Sequence, residues 1–299
     1  MSFFQNNLVQ RLSVALIGIP IVIWLVLEKP VGLLGLILIL AGLAVHEYYG
    51  LAKAKGFLPQ IGVGITFTLL LVIGFAHQRI NFLINQDLIT RFTTFPLIEA
   101  VLIGLLIAVM TYEMFRNMPN PFIHVAITIA GVIYIGVGLG CFYGVREYFL
   151  ARSINPASSA IIMPGPFVIT VLASIWICDT AAYAFGRMMG KNKLFERISP
   201  NKTWEGAIGG LLFALLTFFA ARAWVPGLEG LSVIDCVVLG HIVGVFGQLG
   251  DLAESQFKRD VRVKDSSNLI PGHGGVLDRL DSILFVFPLT YLYLYIAGV

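Results

Sequence analysis

Charged residues are scarce in this chain of 299 residues, because Asp, Glu, Lys and Arg together make up only 12% of it. Soluble domains carry about 25% charged residues, so a water-soluble fold of this size would have too few charges to cover its surface. Apolar residues reach 58%, and the mean hydropathy is +0.87. Disorder is excluded as well, because disordered segments are poor in apolar residues and rich in charge. The composition therefore predicts an integral membrane protein.

Cysteine is scarce too, with three residues that each lie inside an apolar run. No two of them form a CxxC pair, so Cys141, Cys178 and Cys236 predict small buried side chains rather than a disulfide or a zinc site. No small-residue cleavage site followed by a polar mature domain comes after the first apolar run. We therefore interpret that run as a membrane span rather than as a secretory signal.

Nine continuous apolar stretches stand out, and we interpret each as a membrane-spanning helix, a segment that needs roughly 20 residues. Continuous apolarity favours helices over barrel strands, in which apolar and polar residues alternate. The predicted fold is an all-α transmembrane bundle with an N-terminal scaffold, residues 1–150, and a catalytic region, residues 151–299. The stretches are 12–27, 31–46, 60–76, 97–115, 121–145, 166–187, 206–224, 231–251 and 280–298.

Basic residues are distributed unequally between the two sides of this predicted bundle. Nine spans place the N-terminus and the loops 46–60, 116–121, 187–205 and 252–279 on one side, which carries 14 of the 20 Lys and Arg. The positive-inside rule predicts that this side faces the cytoplasm. Ten of the 14 lie in the last two of these loops, where we therefore expect the functional site.

The loop 252–279 interleaves basic and acidic residues, which a simple contact with anionic lipid would not need. Lys and Arg suit phosphate oxygens, whereas Mg²⁺ is bound by one or two carboxylates together with substrate phosphates. Both residue types belong together in a nucleotide site, so the pattern predicts one here.

A glycine-rich run, residues 271–275, precedes a helix that we expect to begin near Val276. Glycines let successive N–H groups converge on an anion, and a helix N-terminus adds partial positive charge. Asp278 and Asp281 are three residues apart and are expected on one face of this helix. An alternative interpretation of Asp278 is a first-turn acid that complements the helix dipole.

Polar residues recur at helical spacing along the eighth predicted span. His241, Gln248 and Asp251 fall on one face, and polar residues inside a membrane need a protein or water-filled interior. We expect His241 to be an interior histidine with a hydrogen-bond partner rather than a metal ligand. Glycines on the same span offer the alternative that this face serves close helix packing. These glycines are Gly240, Gly244, Gly247 and Gly250.

The sixth predicted span carries an intramembrane acid, Asp179, which lies four and eight residues before Tyr183 and Arg187. An acid inside a membrane is a candidate functional residue. The alternative is a structural relay from Asp179 to Arg187 through Tyr183. In the loop that follows, Ser199 and Pro200 match the residues that commonly begin a helix.

The 27 residues from Ser255 to Asp281 resemble the signature of the phosphatidate cytidylyltransferases, also called CDP-diacylglycerol synthases. Two further segments, residues 179–187 and 199–206, are similar to two other motifs of that family. The signature positions are Ser255, Lys258, Arg259, Lys264, Asp265, Ser267, Leu269, Ile270, Pro271, His273, Gly274, Gly275, Asp278, Arg279 and Asp281.

The resemblance implies that CTP reacts with phosphatidate to give CDP-diacylglycerol and pyrophosphate for phospholipid biosynthesis. It implies a requirement for Mg²⁺, with a monovalent cation such as K⁺ beside it, and metal ligands at Asp251 and Asp278. It further implies a homodimer in a bacterial inner membrane, with the catalytic loops facing the cytoplasm. We expect no nucleic-acid partner.

The chemistry of that reaction assigns roles to residues. A phosphate monoester has a second pKa of about 6, so phosphatidate is largely dianionic at neutral pH and needs no general base. The demand is to bring two anions together and to stabilise the leaving pyrophosphate, which is work for a metal ion and cationic side chains. We assign catalysis to Asp251, Asp278, Lys258 and Arg259, and metal binding to Asp251, Asp278 and Asp281. Nucleotide or substrate contacts are assigned to Asp179, Lys202, Ser255, Lys264, Asp265, His273, Gly274, Gly275 and Arg279.

Two other functions fit parts of the pattern. A CTP-dependent lipid kinase similar to dolichol or phytol kinases would transfer the γ-phosphate instead of the cytidylyl group. A secondary transporter would show inverted repeats and broken spans in both halves, whereas the polar residues here crowd two loops of the C-terminal half. The sequence has no DGxxAR run, which argues against a CDP-alcohol phosphotransferase.

Overall fold

The computed structural model describes residues 16–77, 79–80, 94–153, 162–270 and 274–299. Within these ranges the chain forms nine helices, at the nine positions that the apolar stretches predict. The helices are α1, Leu16–Glu28; α2, Pro30–Ala54; α3, Ile61–Phe75; α4, Thr94–Arg116; α5, 121–153; α6, Pro164–Met189; α7, Trp204–Trp224; α8, Val233–Asp260; and α9, Asp281–Ala297.

By length and composition, six of the helices in the described part of the chain can cross a membrane, namely α2 and α4 to α8. The other three, α1, α3 and α9, are shorter apolar helices. The predicted all-α membrane architecture is confirmed, and the protein is a multi-pass membrane protein.

The helices begin at residues whose chemistry suits a helix start. Proline occupies the beginning of α2, α5 and α6, where its missing N–H costs no hydrogen bond. A capping box formed by Ser232 and Asp235 starts α8. Thr203 caps α7 by accepting a hydrogen bond from the N–H of Gly206. The predicted helix start at Ser199 and Pro200 is therefore wrong.

Those two residues belong to a hairpin made of strands β1, Lys193–Phe195, and β2, Ser199–Thr203. The strands pair antiparallel, with Lys193 opposite Thr203. The predicted loop 187–205 thus contains a small sheet that leads directly into the cap of α7.

The predicted loop 252–279 also begins too early, because α8 continues to Asp260. Hydropathy detects the part of a helix that lipid surrounds, whereas the helix itself continues as long as its polar end is packed or solvated. Beyond α8, the expected helix at Val276 is only a single 3₁₀ turn, Leu277–Arg279. Asp278 lies in this turn and Asp281 begins α9, so the two acids belong to different elements.

A π-helical turn, Ile242–Gly247, interrupts α8 before its polar end. Its hydrogen bonds run from i to i+5, so an extra residue enters the turn and shifts the face that a regular helical period would follow. His241 is exposed and its Nδ1 lies 2.8 Å from the carbonyl oxygen of Val237, whereas Gln248 is buried. The interior position expected for His241 is therefore wrong.

The chain divides into two compact units. Unit 1 consists of the described residues of Met1–Tyr143 and Asp260–Leu280, and unit 2 of those of Gly144–Arg259 and Asp281–Val299. Both units contain residues of the signature segment. The expected functional division of the chain at residue 150 stays a prediction.

Unit 1 has an apolar core in which α3, α4 and α5 meet. Its centre is formed by Leu71, Leu105, Val109 and Val132, which are all buried. Beside it, the buried carboxylate of Glu113 lies within hydrogen-bond distance of Gln60 Nε2 (2.6 Å), Arg116 (3.0 Å) and His124 Nδ1 (3.0 Å).

Unit 2 is built around α7, which packs closely against α8. A Cβ at Gly240 would lie 2.8 Å from the Cα of Leu215, and one at Gly244 would lie 2.7 Å from the Cα of Leu211. Only glycine permits this approach, so the packing interpretation of these two glycines is confirmed. All three cysteines are free and buried, as predicted.

Candidate functional site

In unit 2, the polar end of α8 meets the hairpin. Asp251 forms an ion pair with Lys202 of β2, with 2.7 Å between Nζ and Oδ2. The hydroxyl of Ser255, one helical turn later, donates to the other oxygen of Asp251 at 3.2 Å. The side chains of Lys202 and Asp251 are 24% and 36% exposed, so a solute can reach this pair. The structure thus brings together two charges that the sequence places apart, Lys202 in the loop 187–205 and Asp251 at the end of the eighth predicted span.

A second acid reaches this place from α9. A Cβ at Gly250 would lie 2.5 Å from the backbone oxygen of Asp281, so the start of α9 lies directly against α8. Asp281 is half-buried and experiences repulsion from Asp251 and from Asp179 of α6, with Lys258 opposing them. We call Asp179, Asp251 and Asp281 the triple-Asp cluster, because Asp281 at the start of α9 lies within electrostatic reach of Asp251 on α8 and of Asp179 on α6.

The donor chemistry of the triple-Asp cluster fits Mg²⁺, which prefers carboxylate oxygens and keeps positions for water and phosphate. Among the described residues, no three metal-ligating side chains are close enough to hold an ion by themselves. A nucleotide site does not require three, since one or two carboxylates with substrate phosphates complete the coordination of Mg²⁺.

The two predicted catalytic cations of α8 have protein partners. Lys258 is buried and pairs with Glu254, which is fully buried one turn earlier. Arg259 is exposed, and its Nε donates to the carbonyl oxygen of Ile198 at 3.3 Å, which links α8 to the hairpin. In this arrangement Arg259 links α8 to the hairpin and Lys258 forms an ion pair within α8, and the contacts of both cations with phosphate stay a prediction.

In unit 1, Asp278 organises the segment between α8 and α9, residues 261–280, which we call the signature loop. Its side chain is buried, and Oδ2 accepts hydrogen bonds from three donors. They are the N–H of Gly275 (2.7 Å), the N–H of Ser266 (2.9 Å) and the hydroxyl of Ser266 (3.0 Å). Its proposed role as a metal ligand is not tested by these contacts.

A second acid, which the sequence analysis did not single out, lies beside Asp278. Glu47 of α2 is buried and accepts hydrogen bonds from the signature loop, including the N–H groups of Val276 and Leu277. An acid directly after a predicted apolar stretch is a signal that could have identified it.

The described end of the glycine run, Gly274 and Gly275, leads into a nest of N–H groups. Gly274 has φ +83°, and the N–H groups of Gly275, Val276 and Leu277 converge on carboxylates. The anions in this nest are the side chains of Asp278 and Glu47, so these amides are already occupied. The predicted nucleotide contacts of Gly274 and Gly275 stay predictions, and His273 lies outside the described residues.

Three other predicted binding residues of unit 1, Lys264, Asp265 and Arg279, are exposed. They flank the buried part of the signature loop. The loop therefore exposes charged side chains, while its backbone donates hydrogen bonds to the buried carboxylates of Asp278 and Glu47. On α6, Asp179 is exposed and Arg187 donates to the hydroxyl of Tyr183 at 2.9 Å. The Tyr183–Arg187 half of the structural relay is thus present.

The predicted residues therefore fall into two groups, one in each unit. Unit 2 holds Asp179, Lys202, Asp251, Ser255, Lys258, Arg259 and Asp281, and unit 1 holds Lys264, Asp265, Gly274, Gly275, Asp278 and Arg279.

Comparison with known proteins gives a consistent result. A phosphatidate cytidylyltransferase of Staphylococcus aureus (strain COL) is 40% identical over 188 residues, which are 63% of this chain and 66% of the relative. Proteins of the same name from Staphylococcus haemolyticus (strain JCSC1435) and Staphylococcus epidermidis (strain ATCC 12228) are 38% identical over the same shares. The chain therefore matches slightly less than two thirds of the length of these relatives.

Residues 9–297 of the chain match a protein family described as "Cytidylyltransferase family". This match includes the five N-terminal helices, for which the sequence motifs provided no argument. The resemblance found in the signature segment is thereby confirmed over nearly the whole length. The chain belongs to the cytidylyltransferase family.

Proposed function

We propose that this protein is a membrane-embedded phosphatidate cytidylyltransferase that converts CTP and phosphatidate into CDP-diacylglycerol and pyrophosphate. The observation that carries the proposal is the solute-accessible Lys202–Asp251 ion pair beside Asp281 and Asp179. It combines a cation for phosphate with carboxylates for Mg²⁺, in a chain of the cytidylyltransferase family.

In this proposal, different side chains bind the phosphates and the metal ion. Lys202 is paired with Asp251, and in the proposed reaction it would bind a phosphate oxygen of the nucleotide. Asp251 and Asp281, with Asp278 as a further proposed ligand, would hold Mg²⁺. When bound, Mg²⁺ supplies positive charge that neutralises the phosphates and stabilises the departing pyrophosphate. A K⁺ ion beside it is part of the same proposal.

The phosphatidate phosphate is the nucleophile, and it attacks the α-phosphorus of CTP while the bond to pyrophosphate breaks. Because the phosphate is largely dianionic at neutral pH, no side chain has to remove a proton from it. The protein's contribution is to place two anions next to each other and to offset their repulsion with Lys202, Lys264 and Arg279. The acyl chains of phosphatidate would remain in the bilayer, while its phosphate meets CTP at the membrane surface.

Location and assembly follow from the same proposal. The surplus of basic residues in loops 187–205 and 252–279 supports an orientation in which these loops face the cytoplasm from a bacterial inner membrane. We propose a homodimer as the assembled form.

Label transfer tests the reaction directly. Purified protein is incubated with phosphatidate, Mg²⁺ and CTP labelled with ³²P at either the α or the γ position. We expect the α label to enter the lipid and the γ label to appear in pyrophosphate. Entry of the γ label into the lipid would identify a lipid kinase and overturn the proposal, and so would the absence of both labels from the lipid.

A further inference from the structure

A single carboxylate from the N-terminal half of unit 1 is buried against the signature loop. Glu47 belongs to α2 and is only 6% exposed. Its Oε1 accepts from Ser267 Oγ at 2.6 Å and from Val276 N at 3.0 Å. Its Oε2 accepts from Ser266 Oγ at 2.9 Å and from Leu277 N at 2.8 Å. A carboxylate offers about four acceptor positions, so the loop engages all of them.

We propose that Glu47 is a positioning residue that holds the signature loop in the conformation used for cytidylyl transfer. The catalytic part of this inference rests on the proposed function, whereas the loop clamp is a property of the folded chain without any substrate. The N-terminal helices, expected to be a scaffold that could also provide dimer contacts, would then contribute directly to the organisation of the site.

The charge of Glu47 is essential to this arrangement. Two of its four donors are backbone amides in a buried place, which have no water to replace a lost acceptor. Hydrogen bonds to an ionised carboxylate are stronger than those between neutral groups. The carboxylate therefore fixes the backbone itself at Val276 and Leu277 and does not merely fill space below it.

The glycine at position 275 is explained by the same contact. A Cβ on Gly275 would lie 2.5 Å from Oε2 of Glu47, closer than side-chain atoms can approach. Oγ of Ser266 lies nearer still to that position, so Ser266 and the acid from α2 together leave no room for a side chain there.

Ser266 connects Glu47 to Asp278. Its hydroxyl oxygen lies 2.9 Å from Oε2 of Glu47 and 3.0 Å from Oδ2 of Asp278. A hydroxyl has one proton to donate, so the two carboxylates share a single donor. A change at Glu47 is therefore transmitted to Asp278, the acid of the signature loop assigned to catalysis.

The substitution Glu47→Gln tests the clamp with almost no change of volume. The amide oxygen of Gln can still accept two hydrogen bonds, but its NH₂ group must face either Leu277 N and Ser266 Oγ or Val276 N and Ser267 Oγ. On that side the NH₂ group opposes a backbone N–H, which loses its acceptor, and the serine hydroxyl can bond only by accepting from the amide. Glu47→Ala removes the whole clamp.

Amide hydrogen exchange of the purified protein without substrates is the first measurement. We expect exchange in the peptide covering residues 274–280 to be about 10-fold faster in Glu47→Gln and about 100-fold faster in Glu47→Ala, since buried amides lose their acceptors. Wild-type exchange rates in both variants would overturn the clamp.

Glu113→Gln is the matched control, because Glu113 is also a buried acid of unit 1 with several hydrogen-bond partners. None of those partners lies in the signature loop. We expect it to lower the melting temperature while leaving loop exchange and the kinetic constants within about twofold of the wild type. If Glu113→Gln accelerates loop exchange as much as Glu47→Gln does, the effect is general loosening and the clamp is overturned.

Steady-state kinetics test the catalytic part. We expect Glu47→Gln to raise KM for CTP and to lower kcat/KM for CTP about 30-fold, because the displaced loop carries Lys264 and Arg279. Fast loop exchange with unchanged kcat/KM would overturn the positioning role while leaving the clamp intact. A wild-type protein that transfers no cytidylyl group would instead overturn the proposed function, and the exchange measurement would still decide the clamp.

Discussion

The two acidic regions of this protein place their carboxylates in opposite environments. In unit 2, Asp251 lies at a solute-accessible place, is balanced by Lys202, and faces other acids. In unit 1, Asp278 and Glu47 are buried and are surrounded by N–H and O–H donors of one loop. Carboxylates that repel each other in an open place are suited to an incoming cation, whereas carboxylates saturated by donors are suited to hold a backbone.

The largest effect is expected from Asp251→Asn in the triple-Asp cluster. Loss of this charge should lower kcat/KM for CTP by about 10³-fold, because the variant retains shape but loses a proposed metal-binding carboxylate. Stability should change by no more than about 1 kcal/mol, since the Lys202 pair is partly exposed and repulsion of Asp281 is relieved. Initial rates and thermal unfolding measure both quantities.

Asp260→Asn serves as the control for that variant. Asp260 is on the same helix, is exposed and pairs with Lys55, at 2.7 Å, and it is not among the predicted site residues. Its activity should stay within about twofold of the wild type, as is usual for exposed surface pairs. An Asp251→Asn enzyme as active as the control would remove Asp251 from the site.

Asp278→Asn sharpens the comparison because it should affect activity and stability together. We expect the protein to remain folded and Mg²⁺-dependent turnover to fall by about 10²-fold or more. The free energy of unfolding should also fall by about 1–3 kcal/mol, since three donors lose an ionised acceptor. Chemical denaturation checks the second part. Normal turnover would remove the catalytic role, and unchanged stability would remove the structural one.

Lys202→Ala should produce the smallest of these effects. Removal of one phosphate-binding cation should raise KM for CTP about 10-fold with little change in stability. Lys193→Ala is the matched control, because Lys193 lies in the same hairpin and donates to the carbonyl oxygen of Pro200 at 2.6 Å. If both variants raise KM equally, the effect belongs to the hairpin as a whole and not to the Lys202–Asp251 pair.

The positions of the nine helices could be predicted because each coincides with a continuous apolar run. Their polar ends could not, because hydropathy reports which residues meet lipid and not where the helix stops. Ser255 and Lys258 looked like loop residues for this reason, although α8 continues through them to Asp260. Ser199 and Pro200 show the complementary error, since a helix-start pattern proved to be a strand.

The candidate site was predictable where its charges stood out against apolar surroundings, as Lys202 does in a polar loop and Asp251 does at the end of the eighth predicted span. Glu47 was missed because its partners lie 219 to 230 residues away in the chain, and no local pattern connects them. Converging N–H groups do follow the described end of the glycine run, but the anions that accept from them are Asp278 of the same loop and Glu47 of α2. Long-range hydrogen bonds of this kind are properties of the fold and have no spacing in the sequence.

Amide exchange of residues 274–280 in Asp251→Ala and Asp278→Ala, both without substrates, tests the difference between the two regions most directly. The contacts predict wild-type exchange in Asp251→Ala and about 10-fold or greater acceleration in Asp278→Ala, because only the latter removes the acceptor of Gly275. Equal exchange rates in the two variants would contradict the conclusion that Asp278, and not Asp251, holds the backbone of the signature loop.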